Sequence, residues 1–86
     1  MSATLSDRSQ GEITLDMLEA GEKCVVTAVG GQGVLRRRFL DMGLTPRTEV
    51  FIRKVAPLGD PVELMLRGYE LTIRKEEAAQ ITVVRK

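Results

Sequence analysis

Apolar residues in this 86-residue chain change their spacing at one short segment, Gly43-Leu44-Thr45-Pro46. Before that segment, Leu35, Phe39 and Met42 lie at positions i, i+4 and i+7, which places their side chains on one face of an α-helix. The glycine suits the left-handed position that follows many helices, the leucine after it would contact Phe39, and the proline prevents the helix from continuing. The sequence therefore predicts one substantial helix with a defined end.

After Pro46, the apolar residues follow the two-residue period of β-strands, and before the helix a β-branched, apolar run from Lys23 to Val29 predicts another strand. Val62, Leu64 and Leu66 share one face, and the alternation resumes at Tyr69 after a tight connection, which predicts a hairpin whose buried face includes Tyr69. The result is a mainly β fold, a small β-barrel, closed or partly open, with about five short strands and one inserted helix. The predicted strands begin at Lys23, Thr48, Val62, Tyr69 and Ile81, and short helical turns are predicted after Thr14 and from Lys75 to Gln80.

The chain length fits one small domain, which we place at residues 13–86. Residues 1–12 are polar and show no apolar periodicity, so we interpret them as a mobile N-terminal tail. A chain of this size is too short for a multi-domain enzyme. The sequence contains neither a run of about 18 apolar residues nor the apolar core of a signal peptide, which favours a cytoplasmic protein.

Two residue types that support much catalytic chemistry are scarce, because the chain has no histidine and only one cysteine, Cys24. A Ser-His-Asp triad, a Cys-His dyad, a His/Cys zinc site and a redox-active cysteine pair are therefore excluded. Cys24 lies in an apolar run, so we interpret it as a small core residue, and a single thiol fits a reducing compartment. We assign no catalytic, cofactor-binding or metal-binding residue and interpret the protein as a binding module, not an enzyme.

Three segments, the first of which includes the predicted end of the helix, occur in a fixed order along the chain. They are Arg38-Phe39-Leu40-Asp41-Met42-Gly43-Leu44-Thr45-Pro46, Leu58-Gly59-Asp60-Pro61 and Arg67-Gly68-Tyr69-Glu70-Leu71. At these spacings the set resembles the ferrous-iron transport protein A (FeoA) domain family, and the resemblance runs from about Ile13 to Val84. It implies an SH3-like barrel. One departure from the family pattern is Arg47, which stands where the family usually has glycine in the turn after the helix.

The resemblance also implies a function. Stand-alone members are small cytoplasmic accessory or regulatory proteins of bacterial ferrous-iron transport, and the implied partner is the membrane transporter subunit with its GTPase domain. The same domain also occurs at the C-terminus of some iron-dependent repressors, so a nucleic-acid-binding or repressor-type module is the alternative. A formal net charge of +1 is not the strongly basic balance that is typical of a nucleic-acid-binding protein, which favours binding to a protein. Weak self-association stays open.

The predicted partner-binding surface lies on the helix and the turn that follows it. Arg36 and Arg37 are cations suited to carboxylates on a partner, and Leu40 lies away from the predicted core face. If the turn at Arg47 requires a positive φ, arginine there costs about 1 kcal/mol relative to glycine. The full set of predicted contact residues is Arg36, Arg37, Leu40, Leu44 and Arg47.

Overall fold

Six antiparallel strands form a single sheet in the computed structural model, which describes residues 11–86. Two helices interrupt them: α1 (Gly33–Asp41) lies between β2 and β3, and α2 (Lys75–Ala78) lies between β5 and β6. Within residues 11–86, neither helix has the length and apolar content needed to cross a bilayer. The prediction of a mainly β fold with one inserted helix and short helical turns is confirmed. The strands are β1 (Glu12–Thr14), β2 (Lys23–Val29), β3 (Glu49–Val55), β4 (Val62–Leu66), β5 (Tyr69–Ile73) and β6 (Ile81–Arg85).

The strand order is β1-β6-β2-β3-β4-β5, so β1 and β5 are the two edges of the sheet. Among the described residues these edges do not pair with each other, and the sheet is not closed into a continuous barrel. The prediction of about five strands missed β1, because three residues show too little alternation to indicate a strand. β1 forms by pairing with β6, where Glu12 lies opposite Val84.

The predicted N-terminal tail falls mostly on residues 1–10, which lie outside the described residues. Glu12 belongs to β1 and not to a tail. The short turn predicted after Thr14 is present as one 3-10 turn at Leu15–Met17, and the Thr14 hydroxyl donates a hydrogen bond to the Asp16 carboxylate.

One apolar core joins α1 to the inner face of the sheet. Phe39 is completely buried, and Leu35 and Met42 pack against the same core. Burial of a large apolar side chain stabilises the folded state by roughly 1.5–3 kcal/mol. Alternate residues of the strands complete the core, as predicted. They include Val62, Leu64 and Leu66 of β4, Ile73 of β5, and Ile81 and Val83 of β6.

Tyr69 departs from the predicted alternation. We expected it to face the core, but it is 42% exposed. Its hydroxyl donates a hydrogen bond to the backbone carbonyl of Met42, and a Cβ atom built on Gly43 would lie 2.8 Å from the hydroxyl oxygen. A tyrosine hydroxyl needs a polar partner when its ring is partly buried. Here the partner is the end of α1, so the ring lies at the margin of the core and not inside it.

The end of α1 has the predicted geometry. Gly43 has a φ of +98°. Its backbone N–H donates to the carbonyl of Leu40 at 3.0 Å, and the N–H of Leu44 donates to the carbonyl of Phe39 at 3.0 Å. These are the two hydrogen bonds of a Schellman motif, which satisfies carbonyls that the helix leaves unpaired. Leu44 folds back onto Phe39 as predicted, and both are completely buried.

Candidate protein-binding surface

Helix α1 exposes the side that faces away from the core. Arg36 and Arg37 are exposed, Leu40 is half-buried, and the three line one shallow groove together with the exposed Asp41. Val34, in the first turn of the helix, is 83% exposed. We name Val34, Arg36, Arg37 and Leu40 the α1 surface. It combines positive charge with apolar area, which are two properties of protein-binding sites.

The two exposed arginines differ from their neighbour Arg38. Arg38 forms an ion pair with Glu77 of α2, at 3.4 Å between Nη1 and Oε2. Glu77 is held in place, because its Oε1 also accepts a hydrogen bond from the backbone N–H of Arg74 at 2.8 Å. Arg36 and Arg37 form no ion pair with the part of the chain that the structure describes. Their guanidinium groups are therefore available to carboxylates on another protein.

The loop before α1 fixes where the α1 surface begins. The backbone N–H of Gly30 donates to the carbonyl of Gln80 at 2.6 Å. A Cβ atom on Gly30 would lie only 2.7 Å from that same oxygen, so a larger residue would force the loop away from the turn after α2. Gly30 thus has a structural role in this loop.

Leu44 does not belong to the α1 surface. It has no exposed area, because the Schellman motif folds it against Phe39. The prediction that Leu44 contacts a partner is therefore wrong. The same cap that the sequence predicted correctly removes this side chain from the surface.

Arg47 lies on the turn between α1 and β3, outside the groove that Arg36 and Arg37 line. Its φ is +77°, so the turn does require the left-handed conformation. Its N–H donates to the carbonyl of Val26 at 2.6 Å, which ties the turn to β2. A second cation, which the sequence did not indicate, contacts this turn from another part of the chain. Arg67 reaches across from the β4–β5 hairpin, and its Nη2 lies 3.2 Å from Oγ1 of Thr48.

Reactive groups are not gathered at this surface. Cys24 is completely buried, and this burial, followed by the nearby charge of Glu22, raises the pKa of its thiol to about 12. The thiol is protonated at neutral pH and is a poor nucleophile, which confirms its prediction as a core residue. Across residues 11–86, no three Cys, Asp or Glu side chains converge as metal ligands. The surface offers charge and apolar contact.

Residues 13–85 match the family model of the FeoA domain, which is nearly the whole described chain. The chain belongs to the FeoA domain family. This family is linked to ferrous-iron transport and contains transport accessory proteins, not known enzymes. The resemblance drawn from the three sequence segments is therefore confirmed.

One relative carries a FeoA domain and the transporter in a single chain. It is the Fe(2+) transport protein A/Fe(2+) transporter FeoB fusion protein of Porphyromonas gingivalis. The two sequences are 38% identical over 69 residues, which cover 80% of this chain and 8% of the relative. This FeoA domain protein thus spans less than a tenth of that relative's length.

Two solved structures show the same fold. A FeoA-like protein from Clostridium acetobutylicum, determined by NMR, is 40% identical with a TM-score of 0.79, and the match covers 87% of each chain. Stenotrophomonas maltophilia FeoA, crystallised with zinc and described as an SH3 domain protein, is 24% identical with a TM-score of 0.71. That match covers 86% of this chain and 89% of the other. The SH3-like fold is confirmed.

Proposed function

We propose that this FeoA domain protein is a cytoplasmic accessory protein that binds the cytoplasmic part of a ferrous-iron transporter. The observation that carries the proposal is the relative in which a FeoA domain and the transporter FeoB form one chain. A covalent link keeps two domains at a high local concentration. A FeoA domain on a separate chain needs a binding surface to reach the same partner.

The α1 surface is our candidate for that contact. Arg36 and Arg37 bring two cations without internal ion pairs in the described part of the chain, and they fit carboxylates on the transporter. Val34 and the exposed part of Leu40 supply apolar area between and beside them. Arg47 is a second, separate candidate on the turn after the helix.

Regulation by such contact requires no chemistry from this protein, and we propose that it is not an enzyme. Binding changes transport only if the protein has different affinities for two conformations of the transporter. A tenfold difference in affinity corresponds to about 1.4 kcal/mol, enough to shift a balanced equilibrium strongly towards one conformation. The α1 surface would therefore contact a part of the transporter that moves.

A calorimetric titration against the isolated cytoplasmic domain of the transporter tests the proposal. We expect Arg37→Glu to weaken binding by about tenfold or more, because it places a carboxylate against the carboxylates of the partner. Leu40→Ala tests the apolar part, with its folding checked by circular dichroism. Lys23→Glu is the matched control, because it makes the same charge change at an exposed position on β2. No binding at near-millimolar concentrations of the wild-type protein would exclude this function.

The salt dependence of nucleic-acid binding separates the proposal from the repressor-type alternative. A protein that binds phosphates releases the counterions condensed on the nucleic acid. This release becomes less favourable as the salt concentration rises, so the affinity falls steeply. We expect no gel shift with duplex DNA at low salt. A shift that disappears as salt rises, together with no binding to the transporter domain, would favour the alternative.

A further inference from the structure

Leu58 is the most exposed large apolar side chain among residues 11–86. It lies at the tip of the turn that joins β3 to β4, and it is 95% exposed. Its φ is +71°, in the left-handed region that leucine rarely adopts. The residue thus combines an apolar side chain that contacts almost nothing with a backbone conformation that favours glycine or asparagine.

Hydrogen bonds hold this turn in one conformation. The N–H of Gly59 donates to the carbonyl of Ala56 at 2.8 Å, and the N–H of Ala56 donates to the carbonyl of Pro61 at 3.1 Å. The carboxylate of Asp60 accepts a hydrogen bond from the backbone N–H of Lys75 at 3.1 Å, which ties the turn to α2. Leu58 is therefore presented on an ordered turn, so binding through it would lose little backbone entropy.

The folded domain gains nothing from leucine at this position. The side chain is outside the core, and its conformation is strained relative to glycine. An exposed apolar side chain on an ordered, strained turn is suited to contact with another molecule.

We propose that Leu58 is an anchor that inserts into an apolar pocket on the cytoplasmic part of the ferrous-iron transporter. This inference rests on the proposed function and adds a second contact to the α1 surface. The P. gingivalis relative supports the transporter as the partner, because it joins a FeoA domain to the transporter. The pocket must be apolar, since Leu58 offers only a hydrocarbon side chain.

A second copy of this chain is a poorer receptor for Leu58. The groove beside the turn is lined mainly by charged residues, including Arg38, Arg74 and Glu76. Apolar area around Phe51 and Met65 lies near the start of β3 and the end of β4, away from the turn. Leu58 inserted there would join copies head to tail, which produces open chains unless the rotation closes.

A membrane surface is also a poorer receptor. Segments that lie in a bilayer interface combine several apolar side chains with a basic face. Leu58 is a single leucine, and the carboxylate of Asp60 follows it two residues later. A protein pocket fits this single apolar side chain better.

The affinity of Leu58 variants for the transporter's isolated cytoplasmic domain tests the anchor. Leu58→Asn tolerates the left-handed backbone but removes the apolar side chain, and we expect about ten- to hundredfold weaker binding. Leu58→Met keeps an apolar side chain and should retain affinity within about threefold. Met65→Thr is the matched control, because it removes another exposed apolar side chain, on β4 and outside this turn. It should bind like the wild type.

Leu58→Gly separates binding from folding. Glycine relieves the strained φ, so we expect this variant to unfold at a higher urea concentration than the wild type and yet to bind the domain about tenfold or more weakly. A residue with a purely structural role would not give this combination.

Three results would contradict the proposal that Leu58 anchors the protein to the transporter. If the wild type binds and Leu58→Asn binds equally well, the anchor is wrong and the proposed function stands. If the wild type does not bind the transporter domain at all, both are wrong. If Leu58→Asn instead abolishes self-association in analytical ultracentrifugation, or binding to anionic phospholipid vesicles, with transporter binding unchanged, the receptor is not the transporter.

Discussion

Tyr69 donates a hydrogen bond from its hydroxyl to the backbone carbonyl of Met42, so the edge strand β5 holds the C-terminal end of α1. Met42 is the C-cap residue of the helix, and the last carbonyls of a helix have no partner within it. The contact joins two elements that are far apart in sequence. It also places the Tyr69 ring over Gly43, which links the stability of the helix end to the hairpin.

Removal of this hydroxyl should weaken the domain. We expect Tyr69→Phe to lower the free energy of unfolding by about 0.5–1.5 kcal/mol, because it removes one hydrogen bond and keeps the ring. Urea denaturation followed by circular dichroism measures the change. A Tyr69→Phe midpoint equal to that of the wild type would show that water replaces the bond without loss.

Substitution of Gly43 by alanine should lower the free energy of unfolding more than the same substitution at another glycine with a positive φ. Gly43→Ala meets a strained φ of +98° and a Cβ contact of 2.8 Å with the Tyr69 hydroxyl. Gly21→Ala is the control, because Gly21 has a φ of +94° and open space around its Cβ position. We expect about 1–2 kcal/mol of destabilisation at Gly21 and a larger loss at Gly43.

A double-mutant cycle tests the origin of the difference. If the clash with the hydroxyl matters, Gly43→Ala should cost less in a Tyr69→Phe background than in the wild type. Equal costs in both backgrounds would assign the whole effect to the backbone conformation of Gly43.

Glycine at position 47 should stabilise the protein. Arg47 has a φ of +77°, so Arg47→Gly should raise the free energy of unfolding by about 0.5–1 kcal/mol once the greater entropy of unfolded glycine is included. Arg47→Ala is the control, because it removes the guanidinium and keeps the strained Cβ. If Arg47→Ala stabilises as much as Arg47→Gly, relief of charge and not of backbone strain explains the gain.

The buried thiol of Cys24 should make stability depend on alkaline pH. Its pKa is about 12 in the folded state and about 8.5 in an unfolded chain, so the unfolded state loses its proton first. The thiol makes its full contribution to the free energy of unfolding below about pH 8.5, and this contribution declines as the pH rises towards 12. We expect the free energy of unfolding to fall less steeply over that range in Cys24→Ala. Parallel pH profiles for both proteins would contradict this.

Local patterns predicted the elements whose residues interact with near neighbours. The helix face at Leu35, Phe39 and Met42 and the cap at Gly43 need only a few consecutive residues, so the sequence shows them directly. β1 was missed because it depends on β6, about seventy residues later. Register with distant segments cannot be read from three residues.

The candidate site was harder to predict than the fold. The sequence indicated Arg36 and Arg37, but the pairing of Arg38 with Glu77 depends on how α2 packs beside α1. Leu58 was named only within a segment that carries the family resemblance, because its exposure and positive φ become visible only in three dimensions.

The pairing of Glu12 with Val84 also determines how the domain can be attached to something else. The chain enters at β1 and leaves along β6, its immediate neighbour in the sheet. A linker at either end would therefore hold the domain from nearly the same point, and the rest of its surface could turn about that single tether. A fusion at the N-terminal end and a fusion at the C-terminal end would therefore expose the same faces to a partner without any rearrangement of the fold.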